Sequence, residues 1–165
     1  MFLMSRRAAV LLLLLSLACT GRTAGVLPPR LSAPARAAHP LAQAEQDLFA
    51  RVNAYRASKG LPALRWSEVI AEQARRHSEA MASGAAARGH EGFDERLAAI
   101  RKRLRISSWG ENVVGDSGVE DAFRRLLDSR SHRENMERDF DLTGIGAATD
   151  AAGMLYLTQI FAKST

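Results

Sequence analysis

Cysteine is nearly absent from this chain. Its 165 residues include one, Cys19, and residues 20–165 have none. No disulfide supports that stretch, so a fold there must rest on buried apolar surface. About 120 residues bury roughly two-thirds of their unfolded surface, enough to fold without staples. Long apolar runs are missing too. The most apolar segment, Ala8–Ala18, has 11 residues, too few to cross a bilayer core of about 30 Å as a helix. Acids are absent from residues 1–44, which hold Arg6, Arg7, Arg22, Arg30 and Arg36. Of the 23 Lys and Arg residues, 18 therefore remain in 45–165, against all 18 Asp and Glu. The net charge of +5 belongs to the start of the chain, and the rest is formally neutral. Nucleic-acid binding needs a basic face on the domain, so nucleic acid is not an expected partner. Arg101-Lys102-Arg103-Leu104-Arg105 is the local exception and reads as a solvated helix face. Also missing are a Gly-rich phosphate loop, a His-Glu-x-x-His pair, a Ser-His-Asp signature and any internal repeat.

What is present divides into a leader, a linker and a domain. Residues 1–19 read as a signal peptide: Arg6-Arg7 is the charged start and Ala8–Ala18 the apolar segment. Cys19 falls where that segment ends, after Ser16-Leu17-Ala18. A lipoprotein signal places leucine one residue earlier. Two readings of Cys19 stand, a lipidated new N-terminus or an incidental residue in an ordinary cleaved signal. Residues 20–43 hold Pro28, Pro29, Pro34 and Pro40 among Gly, Ala, Ser and Arg, the composition of an extended linker. Only Pro62 follows, so the domain spans 44–165.

Within the domain, Leu48, Phe49, Val52 and Tyr55 repeat at helical spacing and predict a helix over 44–58, ended by Lys59-Gly60. Leu61–Trp66 is a short extended connection. Ser67 as N-cap and Gly84 as C-cap bound a second helix with Val69, Ile70, Ala74, His77, Ala80 and Met81 inward. A third covers 93–104, with Leu97, Ile100 and Leu104 inward, and a fourth 119–127. Residues 129–138 form a turn or short helix. Then the period changes: 142–149 and 154–162 alternate like strands around Asp150-Ala151-Ala152-Gly153, a hairpin turn. Helices followed by a hairpin indicate an α+β fold.

Three residues stand out chemically. Glu111 lies between a Gly turn and an apolar run, and a carboxylate there needs charge or hydrogen-bond partners. His90 and His132, each 21 residues away, are the candidates. His77, on the second helix's apolar face, reads as a satisfied structural histidine. Asn112 reads as satisfying nearby backbone groups. Gln159 reads as bonded within the sheet, and Trp66 and Trp109 as core.

The order Asn53-x-x-Arg56, Gly60-Leu61-x-x-Leu64-x-Trp66, Ala74-x-x-His77-Ser78-x-x-Met81-Ala82, Gly89-His90, Gly110-Glu111-Asn112-Val113, Ser129-x-x-His132-Arg133-x-Asn135-Met136, Thr143-Gly144-Ile145-Gly146 and Tyr156-x-x-Gln159-Ile160-Phe161 resembles the CAP superfamily. That superfamily includes cysteine-rich secretory proteins, antigen 5 and plant pathogenesis-related proteins, and the secreted bacterial SCP-domain branch looks nearest. The resemblance covers about residues 45–162. It implies an α-β-α sandwich, with helices on both faces of a small antiparallel sheet, and a central cleft of two histidines and two acids, sometimes with a metal. Carried over, the cleft residues are His90, Glu111 and His132. Ser129 stands where the second glutamate would be, and Leu126 where the preceding tryptophan would be.

Two imidazoles and one carboxylate with an open position suit zinc, so His90, Glu111 and His132 are the expected metal ligands and zinc the expected cofactor. Without metal, the same carboxylate raises the pKa of the histidines, and a buried polar cluster that only ties helices to sheet uses the same residues. The expected function is a secreted or surface-anchored, non-catalytic binding protein whose cleft takes a small ligand, lipid or divalent metal. Cell-envelope material is the expected partner, with membrane contact only through lipidated Cys19. The alternative is a metal-dependent hydrolase, for which Ser129 is a poor replacement for a carboxylate.

Overall fold

The structure, a computed structural model, describes residues 40–165. The expected signal peptide, Cys19 and nearly all of the linker lie outside the described residues. In chain order the elements are α1 (Pro40–Ser58), β1 (Arg65–Trp66), α2 (Glu68–Ala82), α3 (Phe93–Arg101), β2 (Ile106–Asp116), α4 (Val119–Asp128), α5 (Arg130–Glu137), β3 (Leu142–Thr149) and β4 (Leu155–Ser164). The strands form one sheet in the order β1-β3-β4-β2. β2, β3 and β4 run antiparallel, while β1 joins β3 in parallel at Leu142 and Thr143. The sheet is therefore mixed rather than purely antiparallel, and the α+β sandwich otherwise stands.

Each face of the sheet carries a core. On one, Ile145, Leu157 and Phe161 meet Leu48 and Val52 of α1, Ala122 and Leu126 of α4, and Met136 of α5. Phe140 stacks on Phe161 there, ring centroids 5.6 Å apart. On the other, Leu142, Ile160 and Ala162 meet Ile70 and Ala74 of α2 and Ile100 of α3. Coverage on both sides explains why β2 is not visible as a strand in the sequence. Ile106–Asp116 is interrupted by Gly110 and the polar pair Glu111-Asn112, and its residues from Gly110 to Gly115 are buried regardless of parity. α1 begins at Pro40, four residues before the expected start, because proline at the first helical position gives up only an N–H that has no helical partner.

Two arginine- and glutamate-centred contacts fix where the layers sit. Arg56 is 1% exposed, and its guanidinium donates to the carbonyls of Pro62, Met136, Arg138 and Phe140. Burial pushes its pKa below the ordinary arginine value, yet three of the carbonyls tie α1 to the end of α5 and the α5–β3 connection, and that of Pro62 ties it to the segment leading into β1. Asn53, one turn earlier, exchanges hydrogen bonds with the backbone of Leu64 and sets β1. At the other end of α1, buried Glu45 accepts from the backbone N–H of Ala147 on the edge of β3 that the two-residue β1 leaves uncovered, and from Arg75 of α2.

α2 lies on β3 closely enough to require glycine. A Cβ at Gly144 would stand 2.2 Å from the backbone nitrogen of Ala71, and one at Gly146 2.0 Å from that of Arg75. Neither neighbour is a flexible side-chain tip, so the helix itself would have to move. We expect Gly146→Ala to lower unfolding free energy by about 3 kcal/mol in urea titrations. Gly118→Ala, where an added Cβ meets nothing within 4 Å, should change it by less than about 0.5 kcal/mol. Equal effects at the two glycines would contradict this packing.

Candidate functional site

Glu111 sits on edge strand β2 with its side chain 2% exposed. A carboxylate so buried needs compensation, and the larger share comes from a residue that the sequence analysis did not single out. Arg96 of α3 donates from Nε to Oε2 at 3.0 Å and from Nη2 to Oε1 at 2.8 Å, a bidentate pair. His90 Nδ1 lies 2.9 Å from the same Oε1. The carboxylate can only accept, so Nδ1 carries the hydrogen. The His90 side chain is 56% exposed, and its other ring nitrogen, Nε2, is not used by Glu111.

Arg96 extends the network beyond Glu111. Its Nη1 donates to the carbonyl of Glu91 at 2.7 Å and lies 3.1 Å from His77 Nδ1. Arginine has no acceptor, so His77 Nδ1 accepts, and His77 Nε2 donates to the carbonyl of Gly89 at 2.8 Å. His77 is 4% exposed with both nitrogens partnered, as expected of a structural histidine. The consecutive residues Gly89, His90 and Glu91 are thus each held by His77, Glu111 or Arg96. A signal for Arg96 exists in the sequence: it is three residues after Phe93 and four before Ile100, on the apolar stripe of α3, where a surface arginine would not fall.

His132 comes from α5, in the opposite layer. Its carbonyl accepts from Asn112 Nδ2, and Asn112 Oδ1 accepts from Asn135 Nδ2, which also reaches the carbonyl of Glu111. Asn112 therefore serves nearby backbone, as its type suggested. Desolvation holds the His132 pKa below its ordinary value, and a positive charge on His90 lowers it further, so the two imidazoles are electrostatic neighbours. The Nδ1 of His132 is buried without a hydrogen-bond partner. Ser129 hydrogen-bonds neither imidazole among the described residues. It precedes α5, and its Oγ bonds Ser131 Oγ at 3.2 Å. Gln159 bonds Thr143 within the sheet. Trp66 packs edge-on against Phe49 beside the core. Trp109 differs from expectation: it is half-buried, with the Arg101 guanidinium 4.1 Å above its ring.

The arrangement does not fit a divalent metal. Among the described residues, no group of three or more His, Cys, Asp or Glu is placed to hold one. Both oxygens of Glu111 already accept from a guanidinium, and a metal on them would have to displace or face that positive charge. The cluster is built instead as a charge-balanced clamp with one imidazole face left over.

Two outcomes follow. Glu111→Gln leaves the Arg96 charge buried and should cost about 3 kcal/mol of stability in denaturant titrations; a loss near zero would mean that the pair is dispensable. His132 should titrate below about 6.5 when followed by NMR. With the folded pKa depressed, its contribution to stability is fully present above the unfolded value and is lost as pH falls through the folded one. His132→Gln should therefore show a smaller drop in stability between neutral and mildly acidic pH than the parent.

Comparisons with known proteins agree with this architecture. The family described as CAP, cysteine-rich secretory protein family, matches residues 49–161. An outer surface protein from Borrelia burgdorferi superposes with a TM-score of 0.65 at 15% identity, over 74% of this chain and 94% of that one. An extracellular SCP-domain protein from Bacillus anthracis gives a TM-score of 0.65 at 25% identity, over 75% of this chain and 41% of that one. A cysteine-rich secretory protein from Staphylococcus aureus gives 0.63 at 18%, over 79% and 42%. The chain thus spans less than half the length of the last two proteins. A sequence search of the curated proteins finds no match. With the family matched over residues 49–161, and with solved SCP-domain and cysteine-rich secretory structures of similar fold, the chain belongs to the CAP, or cysteine-rich secretory protein, family.

Proposed function

We propose that this protein is an exported, non-catalytic binding module that takes a small hydroxyl- or amide-bearing ligand of the cell envelope at the His90–His132 face. One observation carries the reading: Arg96 and His90 together satisfy Glu111, which leaves Nε2 of the exposed His90 ring free, while the buried His132 Nδ1 has no partner among the described residues. In the neutral His90 ring a hydrogen on Nδ1 makes Nε2 an acceptor, suited to a hydroxyl or amide N–H. The depressed pKa of His132 keeps that ring neutral near pH 7, so an anion gains little there.

Export is supported by the signal-like residues 1–19 and by the extracellular description of the Bacillus relative at 25% identity. Whether Cys19 carries a lipid belongs to the same proposal. Zinc and metal-dependent hydrolysis find no support in the clamp, since Arg96 stands against the ligand set and Ser129 supplies no second carboxylate.

NMR of the imidazole side chains tests the binding reading. Titration with oligomers of N-acetylglucosamine, which present both hydroxyls and amides, should move the His90 and His132 resonances and leave His77 in place. The change should be lost in His90→Ala. Titration with zinc should leave the trio unmoved at equimolar metal. Zinc shifts at His90 and His132 without saccharide shifts would restore the metal reading and remove this one.

A further inference from the structure

The basic run at the end of α3 is not used by the cleft. Arg101, Lys102, Arg103 and Arg105 are all exposed, and they are four of the 18 basic residues that balance 18 acids over 45–165, so the rest of the domain is net acidic. Arg103 pairs with Glu72 at 2.9 Å. Among the described residues Arg101, Lys102 and Arg105 have no carboxylate in salt-bridge contact; the Arg101 guanidinium instead sits 4.1 Å from the centre of the Trp109 ring. Leu104 lies between Arg103 and Arg105, Ile106 follows, and Trp109 comes after Ser107-Ser108; all three are half-buried. Shallow depressions flank the stack. One, of about 470 Å³, is lined by Leu97, Ala98, Arg101, Lys102 and a single acid, Asp94. The other, of about 160 Å³, is lined by Ser107, Ser108, Trp109 and Arg138.

Arg101 on an indole, with Lys102 and Arg105 exposed close by in the chain and half-buried apolar residues between, combines the features of an interfacial protein face: cations for phosphate headgroups and an amphipathic ring for the boundary between headgroup and acyl chain. Nucleic acid would need a longer stripe of cations to follow successive phosphates, and the remainder of the domain is net acidic.

We propose that the end of α3 and the start of β2 form a docking face for an anionic phospholipid surface, with Arg101, Lys102 and Arg105 meeting headgroup phosphates and Trp109 seated at the interface. This face is separate from the His90 cleft, and it rests on the proposed export only for where the two meet. Together with any lipid on Cys19, it would hold the domain against a membrane through two weak attachments.

The test uses the full chain with vesicles of phosphatidylcholine alone and vesicles in which a third of the lipid is phosphatidylglycerol. Each basic residue near an anionic surface contributes about fivefold in partitioning, so Arg101→Gln/Lys102→Gln/Arg105→Gln should lose on the order of 100-fold on anionic vesicles at low salt. Its thermal melt should stay close to the parent's. Because the leader is itself apolar and basic, a second readout isolates the face. The chain has two tryptophans, so Trp66→Phe leaves Trp109 as the reporter, and brominated acyl chains should quench it on anionic vesicles only. Equal partitioning of parent and triple variant, or unquenched Trp109, overturns the proposal. Binding of duplex DNA without vesicle binding overturns it in favour of nucleic acid. Loss of vesicle binding to millimolar inorganic phosphate at constant ionic strength overturns it in favour of a discrete phosphate site. Export is read separately by cell fractionation, so either claim can fail alone.

Discussion

The site depends on one buried charge. Glu111 is almost fully removed from water, and an isolated carboxylate in such a place either finds a cation or takes up a proton. Arg96 is that cation, and its fork does more than neutralise. Two N–H groups go to the carboxylate, and Nη1 serves the carbonyl of Glu91 and the ring of His77. The loop from Gly89 to Glu91 has no regular structure of its own, so its shape comes from these contacts. Remove the charge on β2 and the loop loses its anchor, and His90 with it.

The same arrangement bears on three residues that suit zinc by type: among the described residues no three such ligands are grouped to hold a metal. Ligand counting from sequence treats each carboxylate oxygen as free. In the folded chain both oxygens of Glu111 are committed, and the committed partner is positive. The missing second acid is consistent with that balance: one buried carboxylate with one guanidinium is neutral, and Ser129 adds no charge. What remains polar and unspent is imidazole nitrogen, a hydrogen-bonding surface more than an ionic one.

Much of the fold was legible in the sequence. Helical periodicity located α1, α2, α3 and α4, and the change of period located the β3–β4 hairpin. β2 was not legible, because alternation marks strands with one wet face, and this strand is covered on both. The start of α1 was obscured by Pro40, which reads as linker by composition and as a helix start by geometry. In the site, the contact of His90 with Glu111 and the structural role of His77 were readable. Arg96 was not, because an arginine is assumed to face water unless the stripe around it is consulted. Trp109 was taken as core on its type, whereas Arg101 covers it at the surface.

The Gly110-Glu111-Asn112 sequence makes sense as a two-sided device on an edge strand. Successive residues of a strand point to opposite faces. Glu111 faces the layer of α2 and α3, where Arg96 and the His90 loop receive it. Asn112 faces the layer of α5, where it holds the carbonyl of His132 and the side chain of Asn135. Gly110 faces that same layer, and a Cβ there would stand 2.9 Å from Asn135 Oδ1, so its missing side chain is what lets Asn135 approach the strand. Both histidine-bearing segments are thereby fixed to adjacent residues of β2. Neither layer alone could bring His90 and His132 within electrostatic reach of each other, and the edge of the sheet is where the two layers come together.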